Sequence, residues 1–364
     1  MAWEIDFLAV GEGEKSGDAI AFRFGNLANP QEQSVLVLDG GTKASGAKLV
    51  NHIKTFYKTS VVNAAICTHS DADHASGLTE VLENLNVQHL FMHLPWNHVR
   101  DLEEQLTKAS PTDNIRQHFK KSLECAHELE KLAKKKSIPI TEPFSDALNA
   151  NAVLAVLGPS TSYYESLLES FRCADELDLA AGRQLLERVA ARVEKAIKWI
   201  AETWDAETLV EPDEDSCSAE NNSSVILLFT QGNDRFLFTS DARVPALTNA
   251  ADHAQGLGID LKTVTRLQIP HHGSKHNVGP KILDRIIGPK LKENTPTTKN
   301  AIVSAAPEAV KHPSKRVVNA FIRRGAKVVA TRGNGICFHS SDVPTREGWV
   351  NATPLPFSNQ VEEE

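Results

Sequence analysis

THSDADHASG, residues 68–77, places two histidines and two aspartates within six positions, from His69 to His74. The run before it, Val61 to Cys67, is apolar and short enough for a buried strand. The run after it, Ala75 to Leu82, resumes an apolar pattern compatible with a helix. The polar cluster therefore sits at a strand-to-helix junction, where side chains converge. Four donors this close repel or compete unless a cation joins them. The same arrangement recurs elsewhere: Asp39 follows VLVL, Asp241 follows FLFTS, and His271 and His272 follow LQIP. Strands that repeatedly end on chelating residues predict donors gathered along one sheet edge, hence a metal site.

Around that stretch the chain alternates between strand and helix patterns, an α/β protein. Ile5–Val10, Ala19–Phe24, Ser34–Leu38 and Val87–Leu94 read as strands, and Gly41–Tyr57 reads as a helix. Residues 97–136 read as charged helix, and 152–158 return to a strand. Residues 161–208 are helix-forming, with Leu179, Leu186, Val189, Val193 and Ile197 at helical spacing. They lead into the acidic linker Glu211-Pro212-Asp213-Glu214-Asp215. Val225–Thr230 and Arg235–Thr239 form a hairpin around Gln231-Gly232-Asn233-Asp234. The last third alternates strand and helix over Val264–Ile269, Lys281–Ile287, Ala301–Ser304, Lys315–Arg324 and Lys327–Ala330, and the tail SNQVEEE reads as disordered. The expectation is one domain over 1–364, with 161–215 a helical insertion beside the site or a docking surface for a protein partner.

Composition narrows the class. Of 364 residues, 41% are hydrophobic and 24% charged, which is ordinary globular material. No apolar run nears the roughly 18 residues of a membrane helix. The opening MAWEIDFLAV has no basic segment ahead of an apolar one, so no secretory signal is expected. Cys67, Cys125, Cys173, Cys217 and Cys337 are scattered without a C-x-x-C pair, the pattern of reduced thiols in a cytoplasmic protein. Net charge is −8, yet Lys262 to Arg332 holds 15 Lys and Arg against three acids, a local +12 that leaves −20 for the rest. Such asymmetry points to contact with a polyanion.

The motifs resemble the metallo-β-lactamase superfamily, whose signature is H-x-H-x-D-H with an upstream Asp motif and a bridging-Asp motif. Here these read His69-Ser70-Asp71-Ala72-Asp73-His74, VLVLDGG and FLFTSDA. Within that superfamily the chain resembles the soluble hydrolase domain of the ComEC competence family. The shared segments are H-x-D-x-D-H, Asn221-Asn222-Ser223-Ser224, Pro270-His271-His272-Gly273-Ser274 and Lys311-His312-Pro313-Ser314, with Lys311 where the family has Gly. The resemblance spans residues 5 to 340, with the helical stretches as additions. It implies an αββα sandwich carrying two divalent ions at the sheet edges.

The resemblance also implies roles. Asp71 stands where the commoner pattern has its second histidine, and Asn221 or Asn222 where it has its third, with Asn222 the expected ligand and Asn221 its support. Oxygen replacing nitrogen favours Mn²⁺ or Mg²⁺ over Zn²⁺ at the first position, alongside His69. The second position takes Asp73 and His74, shares Asp241, and adds His271 or His272. Asp39 would brace the first-motif loop, Asp73 would orient the attacking water, and His312 would protonate the leaving oxygen. Lys275, Lys315, Arg316, Arg323 and Arg324 are the expected phosphate contacts. The reading is a metal-dependent phosphodiesterase or nuclease acting on DNA or RNA. Hydrolysis of a small ester, lactone or cyclic nucleotide is the alternative on the same fold, and a non-catalytic subunit is the third. Intact His69, Asp73, His74 and Asp241 weigh against the third, and the basic segment separates the first two. In competence proteins this domain accompanies a membrane channel, for which these residues carry no candidate span, so DNA uptake is not expected to carry over.

Overall fold

Successive side chains of a strand point to opposite faces, and in this protein both faces are covered. The structure is a computed structural model that describes residues 1–364 except 12, 14, 100–115, 118, 122, 148–152, 172–197, 214–217 and 364. In the first half, β1 (Ala2–Phe7), β2 (Ala19–Gly25), β3 (Gln33–Gly40), β5 (Ala64–Ile66), β7 (Leu90–Phe91) and β8 (Ile140–Thr141) join β16 (Ile336–His339) in one sheet. Its order is β16-β1-β2-β3-β5-β7-β8, and β4 (Val61–Val62) pairs separately with β6 (Asn86–Val87). The second sheet has the order β15-β14-β13-β12-β11-β9. Its members are β9 (Leu154–Gly158), β11 (Ile226–Gln231), β12 (Asp234–Phe238), β13 (Arg266–Gln268), β14 (Lys299–Val303) and β15 (Ala326–Ala330).

The alternation separates three cores. Ile5, Phe7, Phe22, Leu36, Leu38, Leu227, Phe229, Phe236 and Phe238 fill the space between the two sheets. Phe7 stacks on Phe236 at 5.7 Å and Phe22 meets Phe229 at 5.5 Å, so the sheets interlock through aromatic rings. The opposite face of the first sheet, including Val35, Val37 and Ala65, packs on α1 (Lys43–His52), α2 (Ala72–Asn84) and α3 (Glu124–Lys135). The opposite face of the second, including Leu228, Leu237 and Leu267, packs on three more helices. These are preceded in the chain by α4 (Thr161–Leu167) and α5 (Ala219–Asn222), and comprise α6 (Val244–Gly256), α7 (Pro280–Ile286) and α8 (Lys315–Arg323). Helix, sheet, sheet, helix is the αββα sandwich expected.

The opening decapeptide explains itself in this packing. Asp71 stands at the N-cap position of α2, and Leu78, Val81 and Leu82 bury one stripe of the helix. Full burial of such side chains is worth about 1.5–3 kcal/mol each. Gly77 lets α2 press directly on the end of β3. A Cβ there would lie 1.9 Å from the Gly40 carbonyl oxygen, a distance no side chain tolerates.

Four expectations need correction. Residues 161–208 do not remain helical: Trp199–Ala201 is a strand, β10, while the stretch holding Leu179, Leu186, Val189, Val193 and Ile197 lies outside the described residues. The tail is not disordered, because Gln360–Glu362 forms β17 and pairs antiparallel with β10. The acidic linker is partly docked, since Glu211 Oε1 accepts a hydrogen bond from the Lys281 N–H at 2.8 Å. Of the charged helix over 97–136, α3 begins only at Glu124, and Pro95–Asn97 is a short 3₁₀ turn. Among the described residues no helix is long and apolar enough to cross a membrane.

Candidate metal centre

β3 and β5 are parallel, as are β12, β13 and β14. Their carboxyl ends therefore open toward one rim of the sandwich, the usual place for a ligand in such sheets. Asp39 is the penultimate residue of β3, His69 follows β5, Asp241 follows β12, and His271 and His272 follow β13. The rim is held across the two sheets by backbone and hydroxyl contacts. Val225 N–H donates to the Thr68 carbonyl at 3.0 Å, and the Thr68 and Ser240 hydroxyls meet at 2.6 Å.

Backbone strain concentrates at this rim. Asp39 (φ 53°), Ser240 (φ 46°), His271 (φ 47°) and His272 (φ 56°) all occupy the left-handed region. Each such residue costs on the order of 1–3 kcal/mol and persists where its surroundings over-determine it, which is typical of functional sites.

The donor atoms face one another. His69 Nε2 lies 3.8 Å from Asp71 Oδ2 and 3.9 Å from Asp241 Oδ2. His74 Nε2 lies 3.5 Å from Asp241 Oδ2 and 4.0 Å from Asp73 Oδ2. His272 Nε2 is 3.8 Å from Asp73 Oδ2, and His271 Nε2 is 3.7 Å from Asp241 Oδ2. Donors about 2.1 Å from a shared ion stand roughly 3–4 Å apart, so these spacings fit metal ligands better than direct hydrogen bonds. His69 Nε2, His74 Nε2, His272 Nε2, Asp241 Oδ1 and Asn222 Oδ1 are all buried without a hydrogen-bond partner. So many orphaned donors and acceptors in one place are costly unless a cation joins them.

The remaining ring nitrogens are committed, which fixes the histidines' orientation. His74 Nδ1 pairs with Asp39 Oδ2 at 2.8 Å, and Asp39 in turn accepts from the Thr68 N–H at 2.8 Å and the Thr68 hydroxyl at 2.6 Å. His272 Nδ1 donates to the Ser304 carbonyl at 3.0 Å. Asn277, whose amide nitrogen donates to the Asp241 carbonyl at 2.9 Å, presents its oxygen to His271 Nδ1 at 3.0 Å. Asn221 flanks the same nitrogen at 2.9 Å.

Charge is shared across the cluster. Burial alone would raise the carboxyls of Asp73 and Asp241, but neighbouring histidines hold both below the usual range. Burial alone would lower His74, yet Asp241 and Asp39 push it well up, and Asp241 and Asp73 push up His272. His271 is lowered, chiefly by burial. Two divalent cations would replace the protons that the imidazoles otherwise retain.

The sequence-predicted residues fall into two groups. His69, Asp71, Asp73, His74, Asp241, His271 and His272 come together, with Asn221, Asn222 and Asp39 around them. Both adjacent histidines reach the cluster: His271 approaches Asp241, and His272 approaches Asp73 in a donor group with His74. His312 stands at the same rim, its ring parallel to His271 at 6.4 Å, and burial with the nearby His272 and His271 lowers its pKa to about 4. Lys275 is half-buried in the loop following His272.

Of the other four basic residues, the three arginines are buried and paired within the protein rather than presented to a substrate. Arg323 is fully buried, with Nη1 donating to Glu202 Oε1 at 2.5 Å and Nε donating to the Trp204 carbonyl at 2.8 Å. Arg324 is buried between Asp284 (2.8 Å) and Glu207 (2.7 Å). Arg316 donates to the carbonyls of Glu362 at 2.6 Å and Thr208 at 2.9 Å. The Lys315 ammonium rests 4.2 Å above the Trp199 ring. These side chains fasten α8 to the segment around β10 and to the tail, partners too remote in sequence for the charge pattern to reveal. Sequence reasoning also missed Asp18, which is 1% exposed and belongs to the donor cluster with Asp241 and His272. Its only signal was position, a carboxylate immediately before β2.

No family model matches the chain, and no curated protein matches its sequence. Among solved structures, the chain is similar to the metallo-beta-lactamase fold protein YhfI from Bacillus subtilis. Identity is 10% and the TM-score 0.42, over 93% of this chain and 100% of that one. It is similar to a diphosphatase from the PhnP family at 10% identity and a TM-score of 0.37, over 93% of this chain and 98% of that one. A long form RNase Z from yeast is similar at 10% identity and a TM-score of 0.33, over 96% of this chain and 39% of that one.

Proposed function

We propose that the chain is a metal-dependent hydrolase of the metallo-β-lactamase superfamily that cleaves phosphodiesters, in keeping with the motifs it shares with the ComEC hydrolase domain. The observation that carries the reading is the double cluster around Asp241. His69, His74 and His271 each approach its Oδ2 at 3.9, 3.5 and 3.7 Å, Asp71 stands 3.8 Å from His69, and Asp73 links His74 to His272 at 4.0 and 3.8 Å. Divalent ions held by these residues would supply a nucleophile at neutral pH and neutralise phosphoryl charge.

The chain's own groups do the rest. Asp73, with 42% of its side chain exposed, reaches the open side of the rim and can accept a hydrogen bond from the attacking water. His312 is a neutral imidazole in the free site. An anionic phosphoryl group beside it favours the protonated ring, letting it carry a proton to the leaving oxygen. Lys275 adds a positive charge on the same loop as His272.

Polymer or small substrate is the open division. The internal pairing of Arg316, Arg323 and Arg324 removes part of the basic surface expected for a nucleic acid. A cleft of about 710 Å³ follows the Asp241 and His272 loops, lined by Arg243, Lys281 and Arg285 but also by Glu211 and Asp213, and its size suits the small ester of the second reading. Incubation with Mn²⁺ and a panel of single-stranded DNA, duplex DNA, RNA and small phosphodiesters decides. Chelator-sensitive cleavage of at least one nucleic acid, weakening with salt, is expected. Turnover of small diesters alone gives the second reading, and no turnover of any phosphodiester overturns both.

A further inference from the structure

Asp18 sits on the buried side of the rim, beneath the half of the cluster formed by Asp73, His74 and His272. One oxygen of its carboxylate is spoken for: Gln268 Nε2 donates to Oδ2 at 2.8 Å. Gln268 cannot turn to offer anything else, because its own oxygen accepts from the N–H groups of Thr239 (3.1 Å) and Ser240 (3.0 Å). The other oxygen, Oδ1, is buried without a partner. The Ser304 hydroxyl stands nearby and favours the charged form of Asp18, but burial outweighs it and raises the carboxyl's pKa. Asp18's carboxylate lies within 4.8 Å of donor atoms of Asp241 and His272, and in a second grouping within 4.8 Å of Asp39 and His74. The loop is brought this close by Gly17, where a Cβ would stand 2.5 Å from the Asp73 carbonyl oxygen. A carboxylate buried in such a place is relieved either by taking a proton or by meeting a cation, and the surrounding donor atoms offer the second.

We propose that Asp18 is a further carboxylate ligand of the second metal position, and that it sets that position's preference for Mn²⁺ over Zn²⁺. The proposal rests on the metal-dependent reading above. With Asp18 counted, the second position has three carboxylates (Asp18, Asp73 and the shared Asp241) against two imidazoles (His74 and His272). Oxygen-rich sets favour harder cations than the imidazole-rich sets that suit Zn²⁺. In Asp18→Asn, Gln268 can only donate, so it would take the amide oxygen and turn the amide NH₂ toward the ions. The substitution thus converts a ligand into a repelling donor without changing side-chain shape.

The test uses the full chain and reads binding rather than turnover. Mn²⁺ affinity at the second position, followed by electron paramagnetic resonance, should fall ten-fold or more in Asp18→Asn, while Zn²⁺ affinity changes less than three-fold. Unchanged Mn²⁺ affinity, or equal loss of both metals, overturns the assignment. Should the variant not fold, a crystal structure of the unmodified protein with Mn²⁺ answers directly. An Oδ1–Mn²⁺ distance of about 2.1–2.3 Å is expected for a ligand, and beyond about 3 Å Asp18 is no ligand. A protein that binds no divalent ion overturns the hydrolase reading itself. Two bound ions with Asp18 unligated overturn only this inference.

Discussion

His93 offers a quantitative test of the packing behind the rim. It is 6% exposed, neither ring nitrogen has a partner, and its ring lies 4.5 Å from both Phe144 and Tyr164. Burial, helped by the charge of His98, lowers its pKa from 6.5 to about 3. Below pH 6.5 the unfolded chain takes up a proton that the folded chain refuses until about pH 3. Stability from this residue is therefore complete above 6.5 and declines as pH falls through that window. Each pH unit is worth about 1.4 kcal/mol, so between pH 8 and pH 5 the loss is about 2 kcal/mol. His93→Phe keeps an aromatic ring between Phe144 and Tyr164 and removes two unsatisfied polar atoms. At pH 8 the variant should be about 1–2 kcal/mol more stable than the parent. Urea unfolding followed by circular dichroism at pH 8, 6.5 and 5 gives both quantities. If parent and variant lose the same stability between pH 8 and 5, His93 is not held neutral by burial and the argument fails.

Three other substitutions probe the site and its supports. Arg323→Ala should destabilise the protein by about 3–5 kcal/mol, because it leaves the buried Glu202 carboxylate unpaired; a normal melting temperature with weakened substrate binding would restore its role as a phosphate contact. Asp241→Asn should reduce bound divalent metal to one ion or fewer per chain by elemental analysis, and retention of two would show that this carboxylate bridges nothing. His312→Ala should slow cleavage of diesters with poor leaving groups at least ten-fold while sparing a nitrophenyl leaving group, which needs little protonation. Equal effects on both substrates would make His312 a positioning residue.

What was legible in the sequence was whatever local order expresses. Strands that end on Asp39, His69, Asp241 and His271 are contiguous apolar runs followed by a donor, so both element and ligand could be read together. The crowding of His69 to His74 needed no tertiary information. Asp18 was illegible because a single carboxylate at a strand entrance looks like any turn residue, and only the approach of β13 and its Gln268 gives it meaning. Arg323 and Arg324 were misread for the converse reason. Two adjacent cations at the end of a helix resemble a solvated face until Glu202 and Glu207 arrive from more than a hundred residues away. β10 and β17 are each three residues long, and neither has enough alternation to announce a strand without the other.

The pairing of β1 with β16 has a consequence for how the protein is made. Glu4 lies opposite His339, and the Trp3 N–H donates to the Ser340 hydroxyl, so one flank of the first strand waits for residues 336–340. During synthesis β1 can dock on β2 early, but its other edge stays open while more than three hundred further residues are added. An exposed strand edge is a template for wrong pairing, and contacts this distant in sequence form slowly. The nascent chain passes through a long interval in which its first sheet is incomplete and adhesive. The charged pair Glu4 and Arg23, lying across β1 and β2 at 2.6 Å, needs only these first two strands to form. It puts charge on a young sheet whose other face carries Trp3, Ile5 and Phe22.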